Sequence, residues 1–410
     1  MGWKPPFGRP GGPTVEAADL KEMRQPVDVE PVGTSNETDG LTEIREEHLQ
    51  TVFLDMAGAC NLRCVYCCQS DAKFVPHDGI ADAVFAEIVR RLKDYRVATI
   101  NITPSGELTF LPDWMARCQT LFDRGFRLAA TSNLAKPLSD EEAALLSRFD
   151  FLCISLDTAD AKALKQVRRG LDLRILLSNL VTIRAAAIRR GATPPFVATN
   201  SLFTSASAGG FVDLVALAAA VGIKCVNVSP LNTFGAFDFR RFKMHGREVF
   251  QVNDPCESLS PEEAVPVTRD LMAAEAAGLR SGVRFAVAPV LVQRLNARLA
   301  GQTWISGLAP GQTRLCTQPW TRLLIQHDAT AIPCCFGHPS IGSVRGSSFC
   351  ELMNGEEVRR LRRSLLTGDA LPESCRACAG ELAGAPEDLR RMVEGLVAGG
   401  TTVAGATASG

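Results

Sequence analysis

The sequence predicts an α/β fold built as a layer or a barrel of parallel strands. Short apolar runs rich in Val, Ile and Leu alternate with amphipathic stretches between residues 52 and 229. Continuous apolar runs are typical of strands buried on both faces of a parallel sheet, and the intervening stretches have helical periodicity. Six such strand–helix alternations indicate consecutive crossover units, with chemistry expected at the carboxyl ends of the strands.

The elements follow from these runs in order. The predicted strands are Val52–Met56, Val97–Thr103, Arg127–Ser132, Phe151–Leu156, Phe196–Phe203 and Lys224–Ser229. The predicted helices between them are Ala81–Lys93, Pro112–Arg124, Asp140–Ser147, Asp172–Arg190 and Gly210–Val221. Beyond them we expect a helix at Pro261–Ala277, a strand at Val283–Ala288, a hairpin over 322–333 and a helix at Glu356–Leu366.

Composition limits the function classes. The hydrophobic fraction of 46% suffices for a buried core, and the net charge of −1 gives no electrostatic footprint for nucleic acid or a membrane surface. No window reads as a membrane span, so we expect a cytoplasmic protein. There the 14 cysteines indicate reduced thiols and metal–sulfur sites rather than disulfides.

Three cysteines, Cys60, Cys64 and Cys67, follow the first predicted strand with C-x3-C-x2-C spacing. By composition alone, this spacing should arise in about 1–2% of such chains. Three thiolates on one loop can hold three irons of a [4Fe–4S] cube and leave the fourth iron open. The alternative is a structural zinc loop, which wants a fourth ligand nearby, and the adjacent Cys68 is awkward for that role.

This cysteine loop resembles that of the radical S-adenosylmethionine (SAM) enzymes, in which an aromatic residue precedes the last cysteine, as Tyr66 does here. The resemblance implies a partial (β/α)6 TIM-like barrel and a [4Fe–4S] cluster whose open iron chelates SAM. It also implies reductive cleavage of SAM to a 5′-deoxyadenosyl radical that abstracts hydrogen from a substrate. An electron donor such as flavodoxin or ferredoxin follows from the same resemblance.

Four further strand ends resemble the family's SAM-binding segments. Ser105-Gly106-Glu107 resembles its Gly-Gly-Glu motif, which implies that Gly106 and Glu107 contact the SAM amino group. The resemblance places Asn133 and Ser155 near the ribose or carboxylate. In Arg168-Arg169-Gly170 we favour Arg168 as the carboxylate ligand, and the run from Val226 to Pro230 is expected to line the adenine pocket.

A second constellation comprises Cys316, Cys334, Cys375 and Cys378. Two of these cysteines flank a predicted hairpin and two follow a predicted helix, so they can close a tetrahedral S4 site for zinc or [4Fe–4S]. Their layout resembles the twitch domain, a short form of the SPASM domain, and implies one auxiliary [4Fe–4S] cluster. Cys335 and Cys350 remain possible substitutes as ligands.

These readings divide the chain into five segments. They are a disordered segment at 1–45, the partial barrel at 46–231, a connector with helix and strand at 232–310, the twitch/SPASM-like domain at 311–385, and a helical end with a flexible tail at 386–410. We expect most other cysteines to be core thiols. We expect the arginine cluster at 359–363 to be a solvated helix face.

The twitch resemblance favours dehydrogenation, or a related radical transformation, of a small polar substrate such as an amino sugar or aminocyclitol. The auxiliary cluster would take or give an electron. Modification of a ribosomally made peptide is the alternative, and a non-catalytic iron–sulfur or zinc scaffold is a remote one. The sequence identifies no acid–base residue.

Overall fold

A sheet of ten strands organises the structure, a computed structural model, within the part of the chain that it describes. The described residues are 39–49, 51–70, 76–103, 105–231, 243–244, 247–248, 256, 259–302, 308–334, 340–376, 378 and 380–399. All of them belong to one structural unit that begins at Thr38.

The strands are β1 (Thr51–Leu54), β2 (Arg63–Cys64), β3 (Thr99–Ile102), β4 (Arg127–Ser132), β5 (Phe151–Ser155), β6 (Arg168–Arg169), β7 (Phe196–Phe203), β8 (Cys225–Pro230), β9 (Lys243–Met244), β10 (Arg247–Glu248), β11 (Arg284–Val287), β12 (Thr313–Arg314), β13 (Leu324–Ile325), β14 (Thr330–Ile332), β15 (Gly342–Ser343) and β16 (Ala383–Gly384).

The α-helices are α1 (Asp82–Asp94), α2 (Trp114–Asp123), α3 (Asp140–Leu146), α4 (Ala161–Val167), α5 (Leu173–Arg189), α6 (Phe211–Val221), α7 (Pro261–Ser281), α8 (Pro289–Leu299), α9 (Gln318–Thr321), α10 (Phe349–Met353), α11 (Glu356–Thr367), α12 (Glu373–Arg376) and α13 (Pro386–Gly399). Short 3-10 helices lie at Asp39–Leu41, Glu46–His48, Cys68–Ser70 and Leu108–Phe110.

The main sheet runs in the order β11-β8-β7-β5-β4-β3-β1-β13-β14-β15. Each neighbouring pair from β11 through β13 is parallel, and β14 and β15 add antiparallel strands at one edge. This mostly parallel sheet with helices confirms the predicted α/β class. The six strands predicted from apolar runs are all present, as β1, β3, β4, β5, β7 and β8.

Two strands from later in the chain extend the barrel sheet, which the sequence pattern did not predict. Strand β11, expected in the connector, pairs with β8 and is a seventh parallel strand next to the six. Strand β13 pairs with β1, so that Phe53 lies opposite Leu324, and the predicted hairpin of β13 and β14 is confirmed beside it. The C-terminal region therefore shares one sheet with β1, the strand that precedes the cysteine loop.

The predicted disordered segment ends earlier than residue 45. Residues 39–45 contain a 3-10 helix and bury Thr42 and Ile44, because they pack on the C-terminal region. Trp320 Nε1 donates to Leu41 O at 2.6 Å, and Arg362 Nη1 donates to Thr42 O at 2.7 Å. Residues 1–38 lie outside the described residues.

The arginine cluster at 359–363 is expected from the sequence to be a solvated helix face, and Arg362 on α11 departs from that expectation. Its side chain is fully buried, and it donates from Nε and Nη2 to the carbonyl of Pro319 at 3.1 and 2.7 Å. Arg359 and Arg360 do lie exposed, in ion pairs with Glu43 and Glu357. In the described part of the chain, no helix is both long enough and apolar enough to cross a membrane.

Candidate active site

The cysteine loop begins directly after β1 and brings Cys60, Cys64 and Cys67 together. Cys64 is buried in β2, while Cys60 and Cys67 are half-buried. The backbone N–H of Leu62 donates to Cys60 Sγ at 3.4 Å. The pKa of Cys60 is raised to about 11 and that of Cys64 to about 12, mainly by burial and in smaller part by the nearby Cys67 thiol. Three cysteines on one short loop suit an iron cluster, which binds them as thiolates.

The Ser105-Gly106-Glu107 segment lies against the cysteine loop. Gly106 N donates to Ala57 O at 2.6 Å and Glu107 N donates to Ala59 O at 2.9 Å. A Cβ at Gly106 would lie 2.1 Å from Ala59 O, so only glycine permits this approach. Ser105, which stands where the family motif has glycine, donates from both its backbone N–H and its hydroxyl to the buried Asp55 carboxylate.

Glu107 is buried and already accepts four hydrogen bonds. Its Oε1 receives the N–H and hydroxyl of Thr109 and the hydroxyl of Ser132, while its Oε2 receives Asn133 N–H at 2.7 Å. Burial raises the pKa of Glu107, although these donors lower it. Contact of Glu107 with SAM stays a prediction, while its hydrogen bonds to Ser132 and Asn133 connect the segment after β3 to the end of β4.

Asn133 lies at the cysteine loop, while its predicted contact with the ribose or carboxylate of SAM stays a prediction. Its Nδ2 donates to Asn61 Oδ1 at 2.9 Å and approaches Cys60 Sγ at 3.7 Å. Glu107 and the turn after Ser132 hold its backbone in place. The amide therefore reaches the cluster loop from the end of β4.

Tyr66 and Arg168 meet at a carboxylate that the predicted site did not include. Tyr66 Oη donates to Asp157 Oδ2 at 2.6 Å, and Arg168 makes a two-pronged ion pair with Asp157 at 2.9 and 2.8 Å. Asp157 is fully buried. Burial disfavours the charged guanidinium, but Asp157 more than offsets this and raises the pKa of Arg168. Arg168 is thus occupied by Asp157 rather than presented to a ligand.

Arg169 is the better-placed arginine of the pair. Strands β2 and β6 pair antiparallel, so that Arg169 lies opposite Arg63 on the cysteine loop and Arg168 lies opposite Cys64. Arg169 is half-buried, and in the part of the chain that the structure describes no other side chain forms an ion pair or hydrogen bond with it, in contrast to Arg168. Alternation along β6 places the two arginines on opposite sides, which sequence alone could not show.

The predicted Ser155 belongs to a polar face of the sheet. Alternate positions of the parallel strands pack apolar side chains such as Ile100 and Ile154 on one face. The other face carries half-buried polar side chains, which we call the polar face: Asn101, Thr103, Thr131, Ser155, Asn200 and Asn227. Ser155, Asn200 and Asn227 share one register level across β5, β7 and β8. The predicted adenine-pocket run from Val226 to Pro230 contributes Asn227 to this face.

Asp55, His77 and His327 form a cluster between the cysteine loop and the β13–β14 turn, and their candidate ligand atoms lie within 4.8 Å of one another. The two imidazole rings stack 3.7 Å apart and 5° from parallel. An imidazole binds a metal in its own plane, so stacked rings cannot direct both nitrogens at one ion. His77 Nδ1 also accepts Gly79 N–H, whereas a ligating histidine usually donates from its other nitrogen. We interpret the cluster as structural: His77 lies against the Asp55 carboxylate, which in turn accepts the hydrogen bonds from Ser105.

The four auxiliary cysteines come together from separate segments of the C-terminal region. Burial raises the pKa of Cys316 well above its ordinary value, and Cys334 and Cys378 raise it further. Burial likewise raises the pKa of Cys375 to about 11, with Cys334 and Cys378 again adding to it. Gly380 N–H donates to Cys378 Sγ at 3.4 Å. Four converging thiols with a backbone donor fit an iron–sulfur cluster.

The two possible substitute ligands differ in what the structure describes. Cys350 is an exposed thiol on α10, and Cys335 lies outside the described residues. Cys118, Cys153, Cys225 and Cys256 are buried, as expected of core thiols.

Two family models match the chain. The radical SAM superfamily model matches residues 55–199, and the SPASM iron–sulfur cluster-binding domain model matches residues 316–379. The first range contains Cys60, Cys64 and Cys67, and the second contains the four auxiliary cysteines. The chain therefore contains a radical SAM domain at residues 55–199. It carries a C-terminal SPASM domain, and the two domains imply a SAM-binding [4Fe–4S] cluster and an auxiliary iron–sulfur cluster.

Curated relatives match part of the chain. An S-adenosylmethionine-dependent nucleotide dehydratase of a Thermoplasmatales archaeon is 28% identical over 153 residues, which cover 37% of this chain and 51% of that protein. GTP 3′,8-cyclase 1 of Pseudomonas aeruginosa is 33% identical over 146 residues, which cover 33% of this chain and 42% of that protein. The chain thus spans about half the length of these relatives, or less. Both names are those of enzymes.

Solved structures share the fold at low sequence identity. Streptococcus suis SuiB bound to its precursor peptide SuiA has a TM-score of 0.57 and 13% identity, covering 89% of this chain and 86% of that chain. The structure of anSMEcpe with bound AdoMet has a TM-score of 0.52 and 16% identity, covering 81% and 89%. These similarities confirm the predicted partial TIM-like barrel followed by a SPASM domain.

Proposed function

We propose that this protein is a radical SAM enzyme that abstracts hydrogen from a small polar substrate, such as an amino sugar, an aminocyclitol or a related natural-product intermediate. When bound, the cluster and SAM supply a 5′-deoxyadenosyl radical, and the auxiliary cluster supplies a place for one electron. Dehydrogenation or a related radical transformation follows from that pairing. We place the enzyme in the cytoplasm, with flavodoxin or ferredoxin as electron donor.

The residues around the cysteine loop support SAM binding. Gly106 allows the backbone of its segment to lie on the loop, and Glu107 fixes Asn133 beside Cys60. Asp157 holds Tyr66 and Arg168, which leaves Arg169 to meet an anionic group such as the SAM carboxylate. Ser155 lies on the polar face at the end of β5 and can donate to a ribose hydroxyl.

The polar face is the observation that carries the substrate class. Six amide and hydroxyl side chains, on β5, β7 and β8, on β3 and β4 and just after β3, remain half-buried on one face of the sheet. Such groups pair with hydroxyls and amines, and a site built to hydrogen-bond them rejects analogues that lack them. Some of these groups already bond within the protein, as Thr103 does to Asn101 and Asn227 to the Thr199 carbonyl. An apolar peptide side chain would add no hydrogen bond to this face, which disfavours it as the reacting group.

Peptide modification is the second candidate. Its support is the fold similarity that extends over 89% of this chain to SuiB, whose structure was solved with a precursor peptide. The curated relatives instead have names that specify nucleotides as substrates. The test of substrate class is direct: dithionite-reduced enzyme with SAM is given aminocyclitols, amino sugars, nucleotides or peptides, and substrate-dependent release of 5′-deoxyadenosine is measured.

The iron count tests the two-cluster part of the proposal. We expect about eight irons per chain after anaerobic reconstitution and about four after the triple change Cys60/Cys64/Cys67→Ala. Cys350→Ala, at an exposed thiol, is the matched control and should keep about eight. An unchanged iron content in the triple variant would refute the SAM cluster on this loop.

Two further cysteine changes test the electron role. Cys375→Ala with Cys378→Ala should leave about four irons and preserve slow SAM cleavage, because the first loop is intact. Product formation on an accepted substrate should collapse. Normal turnover in a folded variant would mean that the auxiliary cysteines take no part in the reaction.

A further inference from the structure

Arg314 is a buried cation that lies against the auxiliary cysteine loop. Its side chain is 1% exposed, and it donates hydrogen bonds to backbone carbonyls of that loop and its continuation. Nε donates to Cys375 O at 3.1 Å, Nη2 to Arg376 O at 2.7 Å and Nη1 to Glu381 O at 3.3 Å. The guanidinium thus lies inside the turn that carries the last two cysteines.

The fold fixes this position from both sides. Strand β12 pairs antiparallel with β16, so that Arg314 lies opposite Ala383, just beyond the Cys375–Cys378 loop. Leu315 N–H donates to Leu382 O at 2.9 Å and continues the pairing towards Cys316, two residues after Arg314. Three of the four auxiliary thiols, Cys316, Cys375 and Cys378, are near enough to interact electrostatically with the guanidinium.

A fixed positive charge at this place has a predictable effect. Arginine stays protonated in proteins, and charge interactions strengthen where water is excluded. Reduction of an iron–sulfur cluster adds one negative charge, so a neighbouring cation stabilises the reduced form more than the oxidised form. Net charge and hydrogen bonds around a cluster are known to set its potential.

We propose that Arg314 raises the reduction potential of the auxiliary cluster and so favours that cluster as an electron acceptor from the substrate rather than as a donor. The inference rests on the proposed [4Fe–4S] occupancy of the four cysteines. Arg314 is a positioning residue here, since it acts on the cluster through charge and through the backbone of the ligand loop.

The test uses the Cys60/Cys64/Cys67→Ala protein, in which the auxiliary cluster is the one left to observe. Arg314→Gln removes the charge, Arg314→Lys retains it, and Arg362→Gln is the matched control. Arg362 is equally buried and also donates to backbone carbonyls, those of Pro319 and Thr42, on another part of the domain. The midpoint potential is measured by redox titration followed by electron paramagnetic resonance, with iron content determined in parallel.

We expect Arg314→Gln to shift the reduction equilibrium at least tenfold towards the oxidised cluster, about 59 mV for a one-electron couple. Arg314→Lys and Arg362→Gln should stay within that shift of the parent. A parent protein without about four irons would refute the proposed auxiliary cluster itself. An Arg314→Gln protein that keeps its iron and has an unchanged midpoint potential would refute the role of Arg314. Loss of iron from both Arg314 variants would refute it too, because it would mean that Arg314 only stabilises the fold of the ligand loop.

If Arg314→Gln loses its iron and Arg314→Lys keeps it, the midpoint potential of the Arg314→Lys protein becomes the test. A lysine variant that holds its cluster at a potential near the parent's supports the charge effect, because the cation is kept while the fixed carbonyl contacts are lost. A lysine variant shifted tenfold or more would overturn it.

Discussion

Arg168 and Arg169 are adjacent in the chain but have different surroundings, and we expect Arg168 to stabilise the fold and Arg169 to bind a ligand. The guanidinium of Arg168 is sealed against Asp157, which also receives Leu202 N–H and the Tyr66 hydroxyl. Arg169 stands on the other side of β6, beside the cysteine loop. A matched pair of substitutions therefore separates folding from ligand binding at neighbouring positions.

Arg168→Ala should lower the free energy of unfolding by about 3–5 kcal/mol, because it leaves the buried Asp157 charge without its partner. Arg169→Ala should leave folding intact and weaken SAM binding several-fold instead. Urea unfolding and equilibrium binding of SAM to the reconstituted protein measure the two effects. A stable Arg168→Ala protein with poor SAM affinity would reverse the assignment.

A substitution at Gly106 tests whether its segment takes part in SAM binding, because the backbone of Gly106 lies directly against the cysteine loop. Gly106→Ala forces the new Cβ into the Ala59 carbonyl, so the segment must move away from the loop. We expect SAM affinity to fall at least about tenfold, which corresponds to about 1.4 kcal/mol. Gly346→Ala is the control, because a Cβ there meets nothing within 4 Å. Unchanged SAM affinity in Gly106→Ala would remove this segment from the binding site.

At the level of elements, helix α6 shows how a cap can come from another helix. Gly210 precedes α6 and offers no side-chain acceptor, but Asp270 of α7 accepts Phe211 N–H at 2.9 Å. Burial raises the pKa of Asp270, and the two N–H donors at the start of α6, Phe211 and Val212, lower it. The carboxylate thus satisfies helix ends that would otherwise lie without a partner.

Asp270→Ala should lower stability by about 1–2 kcal/mol through loss of this cap. Asp213→Ala is the matched control, since Asp213 lies exposed in the first turn of the same helix and should change stability little. Thermal and urea unfolding of both variants give the comparison. Equal effects from the two substitutions would mean that α6 does not depend on Asp270.

Sequence reasoning succeeded for elements whose pattern is local. The six apolar runs marked β1, β3, β4, β5, β7 and β8, and cysteine spacing marked both sulfur sites. It failed where pairing joins distant segments: nothing in residues 324–325 indicates that they extend the sheet at β1, or that β2 meets β6. The same limit hid Asp157, Asp55 and Arg169, because their roles depend on which strand faces which.

The whole molecule has one sheet that crosses from the radical SAM domain into the SPASM domain. Phe53 N–H donates to Leu323 O, and Asp55 N–H donates to Ile325 O, both at 2.9 Å. Residues 39–45 reach in the other direction and bond to Asn354, which follows α10, and to Arg362 of α11. The two regions therefore depend on each other for strand pairing and for burial.

This dependence predicts that loss of the auxiliary cluster destabilises the radical SAM domain as well. We expect the Cys375/Cys378→Ala protein to unfold in one transition, at a lower temperature than the parent, because a metal site contributes its binding free energy to folding. The near-ultraviolet signal of Trp114, buried on α2, reports on the barrel, and that of Trp320 reports on the SPASM domain. Phe substitutions at either tryptophan separate the two signals. If Trp114 and Trp320 report two separate unfolding transitions, and the cysteine substitutions leave the Trp114 transition unchanged, the shared sheet does not couple the domains. We expect instead that both tryptophans report one transition at the same lowered temperature. Loss of β13 would leave backbone groups along one edge of β1 without the partners that β13 supplies in the described structure.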